Sequence, residues 1–541
     1  MNKSDSKRGV DPLLGLLAGG FILFIVYRVT PRASDWLQSY YAANQVMLTL
    51  FGILVVLLFA ALLFSKTRNW IIDWLEDDAT LEPDENSVFL GHEYKTGKKI
   101  YLRDEFRLMH TQVIGTTNAG KTGSVILPWA VQDMQDGKGL IIIDGKADSD
   151  FLKKLYSYAI QAGRAQDFMV LSLANPYISS TYNPFSKGTP ELIAERFFAS
   201  LQMTEEYYKS IQFIAFKLVI ALIQRRGEVP MPGLVKLLLS DKKALASWAN
   251  GLTDEGLIAQ LEKIIEKSED DFKKDFSGIV TALEYFSSGV NAMLFNTRNS
   301  EIDISDVIRR QKICYVQLPT MQFPFLGEVT GKLLLQSIQS VVSEIQTGQK
   351  KPKHMFSIYL DDFNDYIYSG FASLLNKSRS GNIGVVFSHQ SLGDLEKVGP
   401  DFKQIVLTNT NVKIVMRSND PDSAEHFAKT FGTKTVELTT ERQSKGLWGT
   451  KKTGEQSVRY AEEFLFHPNV FKRELGLGEA VISIPHKSRT ILKRVKFKTV
   501  EDIDPISMPI RDLPKLDLLK LVKLDSSSKP KPSIMEKQKN T

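Results

Sequence analysis

This sequence has only one cysteine and a small net charge. A single cysteine, Cys314, lies in a hydrophobic run typical of a strand. One cysteine excludes an intrachain disulfide framework and a cysteine-based zinc site, so a reducing interior suits most of the chain. Lys and Arg number 68 against 62 Asp and Glu, which gives a formal net charge of +6. This mild excess permits contact with nucleic acid or an anionic membrane and requires neither.

The chain also lacks internal repeats, and its biased composition is confined to the end. The 541 residues are 43% hydrophobic and 24% charged, which argues against disorder over most of the length. This length is enough for a sizeable core and two or three domains. After about Asp502 the sequence becomes rich in Pro, Ser and Lys, which predicts a basic flexible tail over 501–541.

Long apolar runs occur near the start of the chain. Leu13 to Tyr27 is short, whereas Val46 to Phe64 carries no charge and as a helix spans about 28 Å, close to the hydrocarbon thickness. Arg28 follows the first run directly and no small-x-small cleavage pattern precedes Pro31, so we interpret it as a signal anchor. Residues 1–69 are thus predicted to form a two-helix membrane anchor, with a buried core helix as the alternative for each run.

Positive charges flank both runs and set the expected orientation. They are Lys3, Lys7 and Arg8 before the first run, Arg28 and Arg32 in the connecting loop, and Lys66 and Arg68 after the second run. The positive-inside rule favours both termini in the cytoplasm, with a short external loop over about 29–45. The bulk of the chain is therefore expected to be cytoplasmic.

A phosphate-binding loop follows the anchor. The pattern G-x-x-x-x-G-K-[ST] is formed by Gly115, Thr116, Thr117, Asn118, Ala119, Gly120, Lys121 and Thr122. The two glycines let the backbone curl so that successive N–H groups face a polyphosphate. Lys121 reaches the β- and γ-phosphates, and the Thr122 hydroxyl is offered to Mg²⁺. ATP and Mg²⁺ are the expected ligands.

The surroundings of the loop favour this interpretation. Residues 110–114 indicate a strand, 122–135 a helix with a kink at Pro128, and 139–145 a fully buried parallel strand. Further strands are predicted at 312–318, 355–360, 383–388 and 412–416, so a helical segment interrupts one α/β sheet. The predicted domains are a nucleotide-binding part over 70–186, an all-α insertion over 187–300 and a second nucleotide-binding part over 301–500. The insertion has either a structural or a substrate-contacting role.

Hydrolysis also needs a carboxylate for the metal and a group that orients water. Two candidates end buried strands: Asp144, and the pair Asp361 and Asp362. We favour Asp361 for the metal and Asp362 for polarising the water, with Gln390 after the next strand placed to sense the γ-phosphate. Asp144 and Lys146 are left as a structural or allosteric turn beside the nucleotide.

Several ordered blocks resemble the type IV coupling proteins of conjugation and type IV secretion. They are Ile143-Asp144-Gly145-Lys146-Ala147-Asp148, Tyr182-Asn183-Pro184, Leu360-Asp361-Asp362-Phe363, Phe387-Ser388-His389-Gln390-Ser391-Leu392, Thr408-Asn409-Thr410 and Asn419-Asp420-Pro421-Asp422-Ser423-Ala424-Glu425. Pro128 inside the loop helix also fits the pattern. The sequence departs from it at Asp362, where the family usually has Glu.

The resemblance implies a hexameric ring of RecA-like domains on the inner face of a bacterial membrane. It also implies ATP-driven passage of single-stranded DNA, with its bound relaxase, or of protein substrates, to the type IV secretion channel and its ATPases. In such rings a neighbouring subunit supplies an arginine. Arg417 is the first candidate for that role and Arg379 the second.

Two other functions stay open at the level of the sequence. The modest charge and the Asp362 substitution favour a docking receptor for protein effectors, in which nucleotide serves assembly. A chromosome-type DNA translocase is the other alternative. The two-span anchor and the lack of an apparent winged-helix module argue against it.

Overall fold

The chain divides into two compact units, Met1–Ala79 and Thr80–Thr541. The structure, a computed structural model, describes residues 81–203, 205–399, 401–446, 449–486 and 489–512, together with the isolated positions 53 and 56. Both predicted membrane spans therefore lie outside the described residues, apart from those two positions. Over the described ranges, no helix combines the length and the apolar character needed to cross a bilayer. The membrane anchor and its orientation stay predictions.

The described residues form thirteen strands. They are β1 (Ser87–Glu93), β2 (Lys99–Arg103), β3 (Thr111–Ile114), β4 (Leu140–Asp144), β5 (Phe168–Ser172), β6 (Ile313–Gln317), β7 (Phe356–Asp361), β8 (Ile383–His389), β9 (Val412–Val415), β10 (Thr433–Gly446), β11 (Gly449–Phe464), β12 (Glu479–His486) and β13 (Arg489–Phe497). Eleven of them make one sheet in the order β2-β1-β13-β12-β9-β3-β8-β7-β4-β6-β5. β10 and β11 pair antiparallel as a separate hairpin.

Most of the large sheet is parallel. The strands from β9 to β5 all run parallel to their neighbours. β12 joins β9 antiparallel, and β13, β1 and β2 extend that edge. Because β4 and β5 precede the helical segment while β6 to β9 follow it, the predicted single α/β sheet with an interrupted sequence is confirmed. The antiparallel extension by β12 and β13 was not predicted.

Helices cover both faces of this sheet. They are α1 (Asp104–Arg107), α2 (Leu127–Gln135), α3 (Ser149–Gln161), α4 (Pro190–Ser200), α5 (Glu206–Arg225), α6 (Pro232–Ser240), α7 (Lys242–Ala249), α8 (Glu255–Ile265), α9 (Glu269–Ser287), α10 (Ala292–Phe295), α11 (Ile304–Arg309), α12 (Pro324–Gln346), α13 (Phe371–Ser378), α14 (Gly393–Glu396), α15 (Phe402–Asn409) and α16 (Pro421–Phe431). Between Pro190 and Phe295 every regular element of the described residues is a helix. The domain limits given above remain predictions.

The central strands are fully buried because both faces are covered. All five residues of β4 are buried. Ile141 and Ile143 pack into the core on one face of the sheet, with side chains of the helical segment. Leu140 and Ile142 pack into the core on the other face, with the helix that follows the phosphate loop. This alternation fixes the register of β4, so the side chain that ends it is delivered to the carboxyl edge of the sheet.

The helix after the phosphate loop differs from the expected regular α-helix with a kink. Residues Lys121–Ile126 form a π-helical turn, and α2 follows from Leu127. Pro128 lies in the first turn of α2 and has no N–H to donate to a preceding carbonyl. The residue without an N–H donor therefore lies at the junction between the π-helical turn and α2.

The first part of the predicted tail contacts the body of the protein. The Lys154 amine pairs with the Asp502 carboxylate at 3.1 Å. The Ser157 hydroxyl accepts a hydrogen bond from the Ile506 N–H at 2.7 Å. Farther along, the Arg511 guanidinium pairs with Glu301. The described residues 501–512 thus contact α3, the segment that follows β5 and Glu301, while 513–541 lie outside the described part.

Candidate nucleotide-binding site

The loop between β3 and the π-helical turn is closed by backbone contacts to neighbouring strands. The N–H of Gly115 donates to the His389 carbonyl at 3.3 Å, and that of Thr116 to the Arg417 carbonyl at 2.9 Å. A Cβ on Gly115 would lie 2.9 Å from the Met416 side chain. Gly120 has φ +101°, which favours glycine. The two glycine positions of the motif therefore need glycine for different reasons.

Lys121 folds back over this loop. Its ammonium donates to the carbonyls of Gly115 at 2.8 Å and Thr116 at 3.2 Å. Burial lowers the pKa of Lys121, while the charges of Asp362 and Asp361 act in the opposite direction. A buried ammonium held by neutral carbonyls gains when an anion reaches it, as a phosphate in the loop would do.

Asp361 lies opposite the first turn after the loop. The Thr122 hydroxyl donates to its Oδ2 at 2.5 Å, and the Ser388 hydroxyl donates to its Oδ1 at 2.5 Å. Burial, and next the charge of Asp362, raise the pKa of Asp361. A buried carboxylate in this state is stabilised by a cation. The two predicted metal-binding side chains, Thr122 and Asp361, are thus in direct contact.

Asp144 has different partners, although it lies directly across from Asp361 in the β4–β7 register. Its carboxylate accepts hydrogen bonds from the backbone N–H groups of Lys146 at 2.9 Å and Asp148 at 2.7 Å. The Tyr315 hydroxyl donates a third at 2.6 Å. Burial raises the pKa of Asp144 to about 6, against the effect of these donors. Asp144 therefore stabilises a turn, which is the structural role expected for this residue as the alternative to metal binding.

Asp362 is buried beside Asp361 in a left-handed backbone conformation, with φ 47° and ψ 50°. Its Oδ2 lies 2.5 Å from the Lys146 ammonium. Its Oδ1 has no hydrogen-bond partner among the described residues. A buried oxygen without a donor fits a residue expected to accept a hydrogen bond from a bound water.

The other three predicted residues are placed less closely. The Thr117 hydroxyl lies 3.5 Å from Gln390 Oε1, so the glutamine borders the phosphate loop. Arg417 contacts the loop through its backbone carbonyl, and its guanidinium makes no hydrogen bond or ion pair with the described residues. Arg379 begins the turn before β8, at the amino ends of the parallel strands and away from the loop of its own chain.

Sequence reasoning missed a turn that contacts the loop from far along the chain. Gly478, just before β12, donates its N–H to the Ala119 carbonyl at 3.1 Å. A Cβ on Gly478, where φ is +69°, would lie 2.8 Å from the Ser124 hydroxyl. The signal in the sequence is the closely spaced pair Gly476 and Gly478, but spacing alone does not connect it to the loop. The role of Ser388 as a donor to Asp361 was also missed.

Together these residues suit a magnesium-bound polyphosphate. The loop supplies backbone N–H groups and a lysine, and the hydroxyl–carboxylate pair supplies the hard oxygen ligands that Mg²⁺ prefers. No group of three or more His, Cys, Asp or Glu able to hold a metal is found within the described ranges. Phosphate oxygens and water would therefore complete the coordination of an ion at Thr122 and Asp361.

The fold and this site define a P-loop nucleotide-binding protein, and the fold is similar to that of solved conjugative coupling proteins. The unbound bacterial coupling protein TrwBdeltaN70 matches with a TM-score of 0.57 and 14% identity, over 80% of this chain and 93% of that one. TrwB in complex with a non-hydrolysable ATP analogue matches with a TM-score of 0.55 and 14% identity, over 80% and 94%. Identities this low show the fold alone.

Sequence comparisons point to one family among the P-loop nucleotide-binding proteins. The family described as the TraM recognition site of TraD and TraG matches residues 356–473. The type 4 coupling protein DotL of Legionella pneumophila subsp. pneumophila is 22% identical over 415 residues, which cover 64% of this chain and 52% of DotL. The chain thus spans about half the length of this relative. The predicted resemblance to the type IV coupling protein family is confirmed.

Proposed function

We propose that this chain is a membrane-anchored ATPase that couples cargo to a type IV secretion channel. The observation that carries the proposal is the hydrogen bond between Thr122 and Asp361, at 2.5 Å. It brings the phosphate loop and the carboxylate of β7 to one side of the sheet, where a single metal-bound triphosphate would contact both. TrwB, which shares the fold, has been solved with ATP and GTP analogues and with ADP and Mg²⁺.

Each side chain has a defined task in this proposal. Lys121 binds the β- and γ-phosphates, and Thr122 and Asp361 hold Mg²⁺, which neutralises phosphate charge. Asp362 accepts a hydrogen bond from the attacking water through its otherwise unpaired Oδ1. Gln390 borders the loop at the γ-phosphate end. Asp is shorter than Glu by one methylene, so we expect hydrolysis to be slower than in relatives with Glu at this position.

A ring of six such subunits explains the position of Arg417. Its backbone is fixed against the phosphate loop through Thr116. Its side chain makes no ion pair with the described residues. A guanidinium beside one site, with no carboxylate to hold it, suits a subunit boundary at which phosphate charge is neutralised in trans. Arg379, at the opposite edge of the sheet, stays the second candidate.

The proposed location is the bacterial inner membrane, with the described part in the cytoplasm. The support is the two apolar runs near the start of the chain and the positive charges that flank them. A nucleotide site fits a cytoplasmic position because ATP is present there.

Single-stranded DNA with its relaxase is the proposed cargo. The support is the resemblance to conjugative coupling proteins, together with the match over residues 356–473 to a family described as a TraM recognition site. A second candidate is a receptor for protein effectors. It is favoured by the small net charge of +6, because a DNA-tracking surface is usually strongly basic.

The test is cargo transfer in cells that carry the Lys121→Ala variant. We expect transfer to be lost while expression and membrane insertion are unchanged. Crosslinking in wild-type cells during transfer, followed by identification of the bound molecule, distinguishes DNA and relaxase from an effector. Wild-type transfer by the variant would exclude an ATP-driven role.

A further inference from the structure

Lys146 lies in a turn that the Asp144 carboxylate holds by hydrogen bonds to its backbone. The Asp144 carboxylate accepts the N–H groups of Lys146 and Asp148, and the Tyr315 hydroxyl donates to the same carboxylate. Ala147 has φ 58°, a conformation uncommon for alanine. The strained backbone at Ala147 and the hydrogen bonds to Asp144 together fix the turn. They therefore fix the direction in which the Lys146 side chain leaves the backbone.

The Lys146 ammonium contacts the residue proposed to act on water. Its Nζ lies 2.5 Å from Asp362 Oδ2, and 53% of the Lys146 side chain is exposed against 4% of the Asp362 side chain. Although burial lowers the pKa of Lys146, the contact with Asp362 raises it above its ordinary value. One partner of the ion pair is therefore fixed in the core, while the other is a long side chain open to the solvent and to ligands.

The lysines and acids of the site form one charged cluster. Burial has the largest effect on the pKa of Lys121 and lowers it, and the charges that act on it next are those of Asp362, Asp361, Lys146 and Asp394. A nucleoside triphosphate adds more negative charge than one Mg²⁺ removes. A third phosphate bound by Lys121 would bring its oxygens into competition with the Asp362 carboxylate for the exposed Lys146 ammonium.

We propose that Lys146 is a γ-phosphate-binding residue that pairs with Asp362 when the third phosphate is absent and leaves it when that phosphate is bound. Whether Asp362 is paired with Lys146 therefore depends on whether the bound nucleotide carries a third phosphate. Paired with Lys146, its carboxylate is a weak acceptor for a water proton; once Lys146 has moved, both carboxylate oxygens are available. This inference rests on the proposed function and adds to it a residue that distinguishes triphosphate from diphosphate.

Equilibrium affinity separates this role from a structural one. The full chain is titrated in Mg²⁺ with a non-hydrolysable ATP analogue and, separately, with ADP. For Lys146→Gln we expect the affinity for the analogue to fall by about tenfold, while that for ADP stays within about twofold. Lys146→Arg, which keeps the charge, should restore most of the loss. Equal effects of Lys146→Gln on both ligands, or no effect on either, would overturn the inference.

A double-mutant cycle gives a second readout that does not depend on hydrolysis. Asp362→Asn should tighten binding of the analogue several-fold, because Lys146 no longer has to leave a carboxylate. In the Lys146→Gln background that gain should vanish, whereas the same gain in both backgrounds would contradict the exchange. Failure of the wild-type chain to bind either ligand, or wild-type binding by Lys121→Ala, would instead contradict the proposed function and the inference with it.

Discussion

At the scale of single residues, two acids that are neighbours in the sheet differ in chemistry because their hydrogen-bond partners differ. Asp144 and Asp361 end adjacent strands in register. Asp144 is saturated by two backbone N–H groups and a tyrosine hydroxyl, whereas Asp361 is held by the hydroxyls of Thr122 and Ser388. Hydroxyl donors exchange readily for a metal ion, but the N–H groups of a fixed turn do not. The sequence favours Asp361 for the metal but also offers Asp144, because it shows where strands end and not which donors meet there.

This difference predicts separable effects of two matched substitutions. Asp361→Asn removes a metal ligand, so the Mg²⁺ concentration that half-saturates nucleotide binding should rise by about tenfold or more. Asp144→Asn keeps an acceptor for the turn and should leave that concentration unchanged, while unfolding costs about 1–2 kcal/mol less. Magnesium titrations of nucleotide binding and denaturant unfolding measure the two effects. A larger change in Mg²⁺ dependence for Asp144→Asn would contradict the assignment.

The buried His110 predicts how stability changes with acid. Its Nε2 donates to the Leu375 carbonyl at 2.7 Å, and its Nδ1 accepts the N–H of Val385 at 3.2 Å, so the neutral ring uses both nitrogens. Burial lowers the pKa of His110 to about 4, and the charge of Arg379 adds to this. The unfolded chain, with a pKa of about 6.5, binds the proton first as the pH falls.

The stability due to this residue is therefore complete above about pH 6.5 and is lost between there and pH 4. Its share of the loss is about 2 kcal/mol at pH 5. His110→Gln should show a correspondingly smaller difference in the free energy of unfolding between about pH 7.5 and pH 5. An identical difference in wild type and variant would show that folding does not lower the pKa of His110.

At the scale of elements, the phosphate loop depends on parts of the chain that lie far apart in sequence. His389 at the end of β8 and Arg417 just after β9 bond its first residues, and the turn at Gly478 contacts its later ones. The contact between Gly120 and Gly478 leaves no room for side chains. We infer that the antiparallel extension of the sheet supports the loop.

Two glycines with the same φ test this support. Gly478 and Gly97 both have φ +69°, but a Cβ on Gly97 would meet nothing within 4 Å. Alanine at either position costs about 1 kcal/mol of backbone strain. Gly478→Ala should in addition weaken nucleotide binding several-fold, because its methyl group presses on Ser124. Equal nucleotide affinity of Gly478→Ala and Gly97→Ala in binding titrations would remove the proposed support.

The elements differ in how far the sequence predicts them. The predicted strands of the parallel sheet match the observed ones to within one residue at each end, because buried apolar runs flanked by polar turns specify them locally. For β10 to β13 no strand was predicted. β10, β11 and β13 mix polar and apolar residues, and β12, although mostly buried, joins the parallel sheet through β9, which lies far from it in sequence. The loop motif was readable from eight consecutive residues, whereas Ser388 and Gly478 join the site only through the topology of the sheet.

At the scale of the whole molecule, the account joins an anchor, a nucleotide site and a cargo. The described part supplies the nucleotide site. The anchor rests on the sequence, and the cargo on the family resemblance. Stimulation of hydrolysis by the cargo favours a motor over a receptor.

A fragment that begins near Trp70 allows this comparison in solution. For a motor we expect single-stranded DNA to stimulate its ATP hydrolysis at low salt, and the stimulation to fall steeply as salt releases the phosphate contacts. Addition of DNA over a salt series, with the hydrolysis rate as the readout, is the measurement. No stimulation at any salt concentration, with retained binding of a protein effector, would favour the receptor.

Steady-state ATP hydrolysis by the purified full chain tests the central claim most directly, with Lys121→Ala compared against Lys273→Ala. Lys273 lies exposed on α9, away from the phosphate loop, and serves as the matched loss of one positive charge. The account predicts magnesium-dependent hydrolysis in the wild type and in Lys273→Ala, and its loss in Lys121→Ala. Undiminished hydrolysis by the Lys121→Ala chain would contradict it.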